Sequence, residues 1–334
     1  VKRPRLGFLG VGWIGRNRMQ AIVDADDADV VAIADPSRDM AAQAQKLAPS
    51  ANIVEGLDAI LEADVDGVVI ATPSAMHADQ SIRALSHGVA VFCQKPLGRN
   101  ATEAQTVIDA ARAADRLIGV DFSYRYTQGM QRIADIVRAG ELGHVFAIDL
   151  VFHNAYGPDK GWFYDPTQSG GGCVMDLGVH LVDLALWVLD FPDVVSVTSK
   201  LFEGGELLGN APDRVEDYAI ATLRLGSGTA VQLACSWRLQ AGRDAIISAA
   251  FYGTNGGAAL NNVEGSFYDF VAERYRGTAR ERLVTPPDAW GGRAAVDWAK
   301  RLESGAGFDP AAANFVTVSC VLDRIYGRAA RPDD

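Results

Sequence analysis

The chain has 334 residues, 49% of them hydrophobic, and a formal net charge of -11. That length suits two cores rather than one, and the acidic balance argues against nucleic acid or a membrane surface as a partner. Four dispersed cysteines, no signal-peptide profile and no apolar run of spanning length point to a reduced, cytoplasmic protein.

In chain order, Arg5 to Leu9 reads as a strand that runs into Gly10-Val11-Gly12-Trp13-Ile14-Gly15, with a helix from about Ile14. Val30 to Ala34 is a second strand. It ends at Asp35, about twenty residues past the last glycine, the distance a ribose-binding acid needs. Strand, glycine turn, helix, strand and acid form a dinucleotide-binding fingerprint in its proper context. Gly10 allows the tight bend, Gly12 lets the backbone approach pyrophosphate, and Gly15 lets helix and sheet pack closely. Trp13 and Ile14 ride on the same turn, whose helix aims N–H groups at phosphate. Asp35 would accept both ribose hydroxyls and repel a 2′-phosphate, so NAD is expected over NADP. Arg38 keeps NADP open, although a solvated helix start is its plainer role.

Arg38 to Leu47 is the next helix, and Gly67 to Ala71 a strand ended by Thr72-Pro73. Thr72 and Pro73 are expected along the cofactor. His77 opens a helix to Ser86 and reads as exposed or helix-starting, with cofactor contact as its alternative. Val89 to Cys93 is a strand ending at Gln94-Lys95-Pro96, where Gln94 and Lys95 border the cofactor. A helix, Thr102 to Ala114, and a strand, Leu117 to Asp121, follow. Short apolar strands fed through helices imply a parallel sheet covered on both faces. The fold class is therefore α/β, with an N-terminal Rossmann domain over residues 1–121.

Beyond Asp121 the rhythm changes. Met130 to Ala139 and Asp176 to Leu189 read as helices, and His144 to Phe152 as a longer strand. Further strands are Val194 to Phe202, Val215 to Leu225, Thr229 to Trp237, Ala245 to Phe251 and Gly257 to Leu260. Gly226-Ser227-Gly228 is placed as a hairpin turn, and Arg274 to Trp290 reads as a long surface loop. Arg293 to Leu302 and Ala311 to Tyr326 are helices able to pack back on the first domain. Residues 122–334 thus make an α+β C-terminal domain with a large open, mainly antiparallel sheet.

Two segments put polar groups where a core would exclude them. One is Gln94-Lys95-Pro96. The other begins at Ser169-Gly170-Gly171-Gly172-Cys173 and continues through Asp176, Gly178, His180 and Asp183. Consecutive glycines let the backbone wind closely around a ligand. A helix would stack Asp176 and His180 on one face. Together with the first glycine turn, these motifs resemble the Gfo/Idh/MocA oxidoreductases, the group of glucose–fructose oxidoreductase and inositol dehydrogenase, over nearly the whole chain. The resemblance implies oxidation of a secondary alcohol on a sugar or cyclitol, or reduction of the matching ketone. It places the family's catalytic lysine on Lys95 and its aspartate–histidine pair on Asp176 and His180. One departure stands out, because the usual glutamate before the lysine is Gln94. Glutamine keeps the length and hydrogen-bonding capacity but not the charge, and activity is expected to be retained.

The chemistry also follows from the residue types. A hydride leaves a carbinol carbon while its hydroxyl loses a proton. His180 suits the general base, and a charged Lys95 would stabilise the alkoxide. A desolvated Lys95 could instead carry the proton, and the choice stays open. Asp176 would orient the hydroxyl or the imidazole, or cap a helix. Asp183 reads as structural and Trp187 as core. Arg125, His153, Asn154, Tyr156 and Trp162 are candidate substrate contacts beside Lys95, Asp176 and His180, with domain packing as their alternative. Arg125 could meet an anionic substituent or an acidic neighbour, and a neutral polyol is favoured. No metal site is expected. The expected partners are a small sugar or polyol and further copies of the chain, as homodimer or homotetramer through the open sheet. The competing readings are an NADP(H)-dependent keto-sugar reductase and a non-catalytic NAD-binding regulator.

Overall fold

The computed structural model describes residues 3–209 and 213–328. Contacts divide it into two units. The first runs to Ser123 and takes in Gly291–Val316, and the second holds Tyr124–Trp290 with the residues from Thr317 onward.

In the first unit, strands β1 (Arg5–Leu9), β2 (Asp29–Ala34), β3 (Asn52–Ile53), β4 (Gly67–Ile70), β5 (Ala90–Cys93) and β6 (Ile118–Val120) alternate with helices. These are α1 (Trp13–Ala25), α2 (Arg38–Gln45), α3 (Gly56–Leu61), α4 (Ser74–Ser86) and α5 (Ala101–Ala114). Every strand pair is parallel, in the order β3-β2-β1-β4-β5-β6. This is the doubly wound order whose ligand crevice lies beyond the carboxyl ends of the central strands. Every position of β4 and β5 is buried, which explains their unbroken small and apolar sequence. The side chains of Ser37 and Asn100 cap α2 and α5. Helix α3 and strand β3, six and two residues long, are too short to announce themselves in the hydrophobic pattern.

The second unit opens with α6 (Gln128–Arg138), β7 (Val145–Asn154) and α7 (Pro166–Ser169). The expected helix from Asp176 instead begins as a π-helical turn over Val174–Gly178, and α8 (Val179–Val188) continues it. Eight strands follow: β8 (Val194–Glu203), β9 (Glu206–Leu207), β10 (Tyr218–Leu225), β11 (Ala230–Ser236), β12 (Ala245–Gly253), β13 (Gly256–Asn262), β14 (Phe270–Arg276) and β15 (Ala279–Val284). They join β7 in a sheet of order β15-β14-β13-β12-β7-β11-β10-β8-β9. Among the described residues, only β7 and β11 pair in parallel within it. The segment expected as a loop, Arg274 to Trp290, therefore contains the end of β14 and all of β15. Strand β15 is a charged, mostly exposed edge, and such strands lack the alternation that betrays a half-buried one.

One face of this sheet carries α6 and α8. The other is open, and β10 shows the resulting alternation of buried and exposed residues. Phe146, Val195, Ile220 and Tyr252 are exposed. Pro166–Val188 is long and apolar enough to span a membrane by length and composition, and 89% of its most apolar 18-residue window is buried inside this unit.

The chain then gives α9 (Arg293–Glu303) to the first unit and α10 (Ala313–Ile325) to both. Trp298 of α9 packs on Phe92 with ring centroids 5.7 Å apart. A Cβ on Gly67 would lie 2.6 Å from the Trp298 ring, and one on Gly119 3.0 Å from it. Glycine at those two strand positions makes the space for the indole.

Candidate active site

Strand β1 delivers the chain into Gly10, whose φ of 83° favours glycine. A Cβ at Gly15 would overlap the Gly10 carbonyl, so the helix can pack this closely only without a side chain. At Gly12 no atom lies within 4 Å of where a Cβ would stand. Gly12 is also the N-cap of α1, which has no side-chain capping bond and no acidic residue in its first turn. Its first N–H groups and its positive dipole end therefore remain for an anion. Asp35 stands beside this turn, accepting from Val11 N and Ser37 N, both at 2.8 Å. Each carboxylate oxygen keeps a further lone pair for a hydroxyl. These features fit a dinucleotide, with pyrophosphate over Gly10–Gly15 and a ribose at Asp35. Trp13 is exposed, Ile14 half-buried and Arg38 exposed.

His77 overturns its reading as an exposed residue, since it is 1% exposed. Its Nδ1 lies 2.7 Å from Pro96 O and its Nε2 2.7 Å from Thr72 O. A neutral imidazole has one N–H and can donate to only one of them. Burial drives its pKa below the ordinary value, the two carbonyls pull it back, and nearby Lys95 lowers it again. His77 thus ties the Thr72-Pro73 loop after β4 to the turn after β5. Thr72 Oγ1 donates to Gln80 Oε1 at 2.7 Å, and Pro73 leads into α4. In the turn after β5, Gln94 is buried and Lys95 half-buried.

In the second unit the glycine run is anchored by a residue the sequence did not flag. Glu216 is fully buried. Its Oε1 accepts from Val174 N and from the Tyr326 hydroxyl, both at 2.8 Å, and its Oε2 from Gly172 N at 3.0 Å. Burial pushes its pKa up, and the donors pull it back. A Cβ on Gly172 would overlap the Glu216 carbonyl, and one on Gly171 the Tyr326 hydroxyl. The helix-start role considered for Asp176 belongs to Glu216, because that carboxylate takes the Gly172 and Val174 N–H groups where the π turn begins. The available signal was an acid, Glu216, inside the segment read as the strand Val215 to Leu225.

Asp176 lies in the π turn, a geometry frequent at functional sites. Its Oδ2 accepts from Trp237 Nε1 at 3.0 Å. His180 follows in α8, 7% exposed, with Tyr124 edge-on at 4.9 Å. Tyr124 in turn meets Phe152, Phe270 and Trp290. Gly178 lets this helical stretch approach β11, since a Cβ there would stand 3.2 Å from Cys235 Sγ.

The candidate substrate contacts separate into those near this pair and those away from it. Trp162 stacks on Phe163 at 3.8 Å, and Phe163 meets Trp237, which holds Asp176. Trp237, also unflagged by sequence, therefore joins an aromatic wall to the carboxylate. Arg125 makes a two-bond ion pair with Asp183, Nε to Oδ2 at 2.8 Å and Nη2 to Oδ1. Burial pushes the Asp183 carboxyl up, and Arg125 draws it down. His153 points to the opposite face of β7 from Phe152. There its Nδ1 lies 2.8 Å from Ser236 Oγ and its ring stacks on Tyr218 at 5.7 Å. It is thereby turned away from His180. Asn154 accepts from Tyr156 N at 2.8 Å, and the exposed Tyr156 donates its hydroxyl to Asp244. Trp187, expected in the core, is half-buried beneath the guanidinium of Arg138 at 4.8 Å.

Comparison with known proteins agrees with these motifs. Residues 4–122 match the model of an oxidoreductase family with an NAD-binding Rossmann fold. Residues 130–259 match the GFO/IDH/MocA C-terminal domain. The rhizopine catabolism protein MocA of Rhizobium meliloti is 29% identical over 294 residues, 84% of this chain and 89% of that one. The D-glucoside 3-dehydrogenase of Escherichia coli is 28% identical over 272 residues, 77% and 76% of the two chains. Among solved structures, levoglucosan dehydrogenase in complex with NADH and levoglucosan superposes with a TM-score of 0.83 at 20% identity, covering 98% of this chain and 97% of that one. That likeness speaks to the fold.

Proposed function

The chain belongs to the Gfo/Idh/MocA oxidoreductase family, and from that premise we propose that it transfers hydride between a nicotinamide dinucleotide and a secondary alcohol of a sugar, sugar derivative or cyclitol. The observation that carries the cofactor half is the uncapped start of α1 at Gly12 with Asp35 fixed beside it. Bound there, the dinucleotide supplies the hydride acceptor or donor. Lys95 stabilises the developing alkoxide, and His180 takes the carbinol proton or returns it in reduction. Asp176, held by Trp237, orients the reacting hydroxyl, and the Trp162–Phe163–Trp237 wall suits the C–H faces of a sugar ring. The pairing of Arg125 with Asp183 supports a neutral substrate, since the guanidinium charge is already matched. Asp35 supports NAD over NADP. The second cofactor reading keeps one specific support, the exposed Arg38 at the start of α2. The open sheet face with Phe146, Ile220 and Tyr252 supports assembly with further copies of the chain.

The test is turnover over a panel of sugars, sugar acids, glycosides and inositols with NAD and with NADP, beside Lys95→Met and Asp35→Ala. Turnover of one stereochemical set with NAD, abolished by Lys95→Met, is expected. Asp35→Ala should relax the rejection of NADP. Cofactor binding without turnover in either direction across alcohols and ketones would sink the catalytic reading.

A further inference from the structure

Gln94 directly follows β5, and its Nε2 donates to Asp121 Oδ2 at 2.6 Å. The same oxygen accepts from Arg18 Nε at 2.6 Å. Arg18 and Asp121 are 6% and 1% exposed. Arg18 comes from α1, just beyond Gly15, and Asp121 directly follows β6, so three elements converge on one carboxylate beside the Lys95 turn. Backbone bonds fix two of them, Gln94 N to Ile70 O and Asp121 N to Cys93 O, both at 2.9 Å. Both side-chain donors meet on Oδ2, and Oδ1 has no hydrogen-bond partner among the described residues. The carboxylate is thus oriented to serve the amide and the guanidinium together, not to fork onto the arginine.

This arrangement explains why residue 94 is an amide. A glutamate there would put a second buried carboxylate where the amide nitrogen lies, 2.6 Å from Asp121 Oδ2. Two carboxylates so close in a buried site do not both ionise until the pH rises well past the ordinary carboxyl range. The resemblance implies an acid before the lysine, and here a carboxylate, that of Asp121, stands instead against the amide at that position.

We infer that Asp121 is a positioning residue for Lys95, acting by orienting Gln94 and, through Arg18, bracing the turn after β5 against α1. The inference rests on the reading of Lys95 as a catalytic group. Among the described residues, Arg18 from α1 and Cys93 of β5 interact with Asp121, and Lys95 is next to Gln94 along the chain. Burial pushes the Cys93 thiol up to about 12, so it stays neutral.

The experiment compares the full-length protein with Gln94→Glu, Asp121→Asn and the double variant that exchanges acid and amide. In Gln94→Glu at mildly acidic pH one carboxyl keeps its proton and donates as the amide did. Rising pH removes that proton, and repulsion displaces the turn. The kcat of Gln94→Glu should therefore fall roughly tenfold as pH rises, the order expected when a catalytic group is displaced by a fraction of an ångström. The double variant should recover most of that loss, while Asp121→Asn alone lowers kcat at every pH. A wild-type pH profile in Gln94→Glu, or a double variant no better than its singles, overturns the inference. A second readout needs no substrate: lysines carrying carbon-13 methyl groups, with Lys95 assigned by its loss in Lys95→Arg. A pH-dependent movement of that resonance in Gln94→Glu, abolished in the double variant, supports positioning even if no substrate turns over, in which case the functional reading fails alone. An unmoved resonance overturns the inference.

Discussion

Glu216→Gln isolates the anchor of the glycine run. The carboxylate accepts three bonds on two oxygens, two on Oε1 and one on Oε2. Glutamine has a single acceptor oxygen. If that oxygen stays with Val174 N and the Tyr326 hydroxyl, its NH2 faces the Gly172 N–H and leaves a buried donor unsatisfied, at a cost of about 1–3 kcal/mol. The two remaining bonds change from charge-assisted to neutral, a further loss of roughly 1 kcal/mol each. Relief of the buried charge opposes both terms, so a net loss of about 2 kcal/mol is expected. Urea denaturation at neutral pH should show a lower midpoint with an unchanged slope. Because the anchored backbone leads directly into Asp176, kcat/KM should fall by more than the folded fraction does. Unchanged stability together with unchanged kcat/KM would refute the anchoring argument.

Two further outcomes are expected. Asp183→Ala leaves the Arg125 guanidinium without its buried partner and should cost about 3–5 kcal/mol, much of it recovered in Asp183→Ala/Arg125→Met; a loss below about 1 kcal/mol in denaturant would show that the pair is solvated. Burial lowers the pKa of His153 below 6.5, so its contribution to stability is complete above that value and is lost as pH falls through the lower, folded one. The wild type should lose more stability on acidification than His153→Gln, and an imidazole proton resonance titrating at or above 6.5 would contradict this.

The parts of the site legible in the sequence are those where chemistry and local geometry coincide. Gly10, Gly12 and Gly15 announce a phosphate turn because only a side-chain-free backbone passes there. Lys95 and His180 stand out as polar residues in apolar neighbourhoods. What stayed hidden depends on partners far along the chain. Asp176 and Trp237 are 61 residues apart, and Arg125 and Asp183 are 58 apart. Nothing local distinguishes such residues from solvated ones. The burial of His77 was equally hidden, because its carbonyl partners belong to two loops that meet only in the folded sheet. Strand β15 escaped because an edge strand can be charged on both faces, and the π turn because it differs from an α-helix only in hydrogen-bond register. The outward-pointing His153 shows the reverse error, where a residue type suited to a substrate sits on the wrong side of a strand.

The placement of α9 also bears on how the protein is made. Trp298 fills the space over Gly67 and Gly119 against Phe92, yet it leaves the ribosome long after those strands. Through the synthesis of the whole second unit, the first unit's sheet must wait with this apolar hollow uncovered. Nascent chains that expose such surface are prone to aggregate or to engage chaperones. An N-terminal fragment cut at the end of β6 would remain in that vulnerable state permanently, so excision of the cofactor-binding region as a minimal module requires α9 to be spliced back onto it.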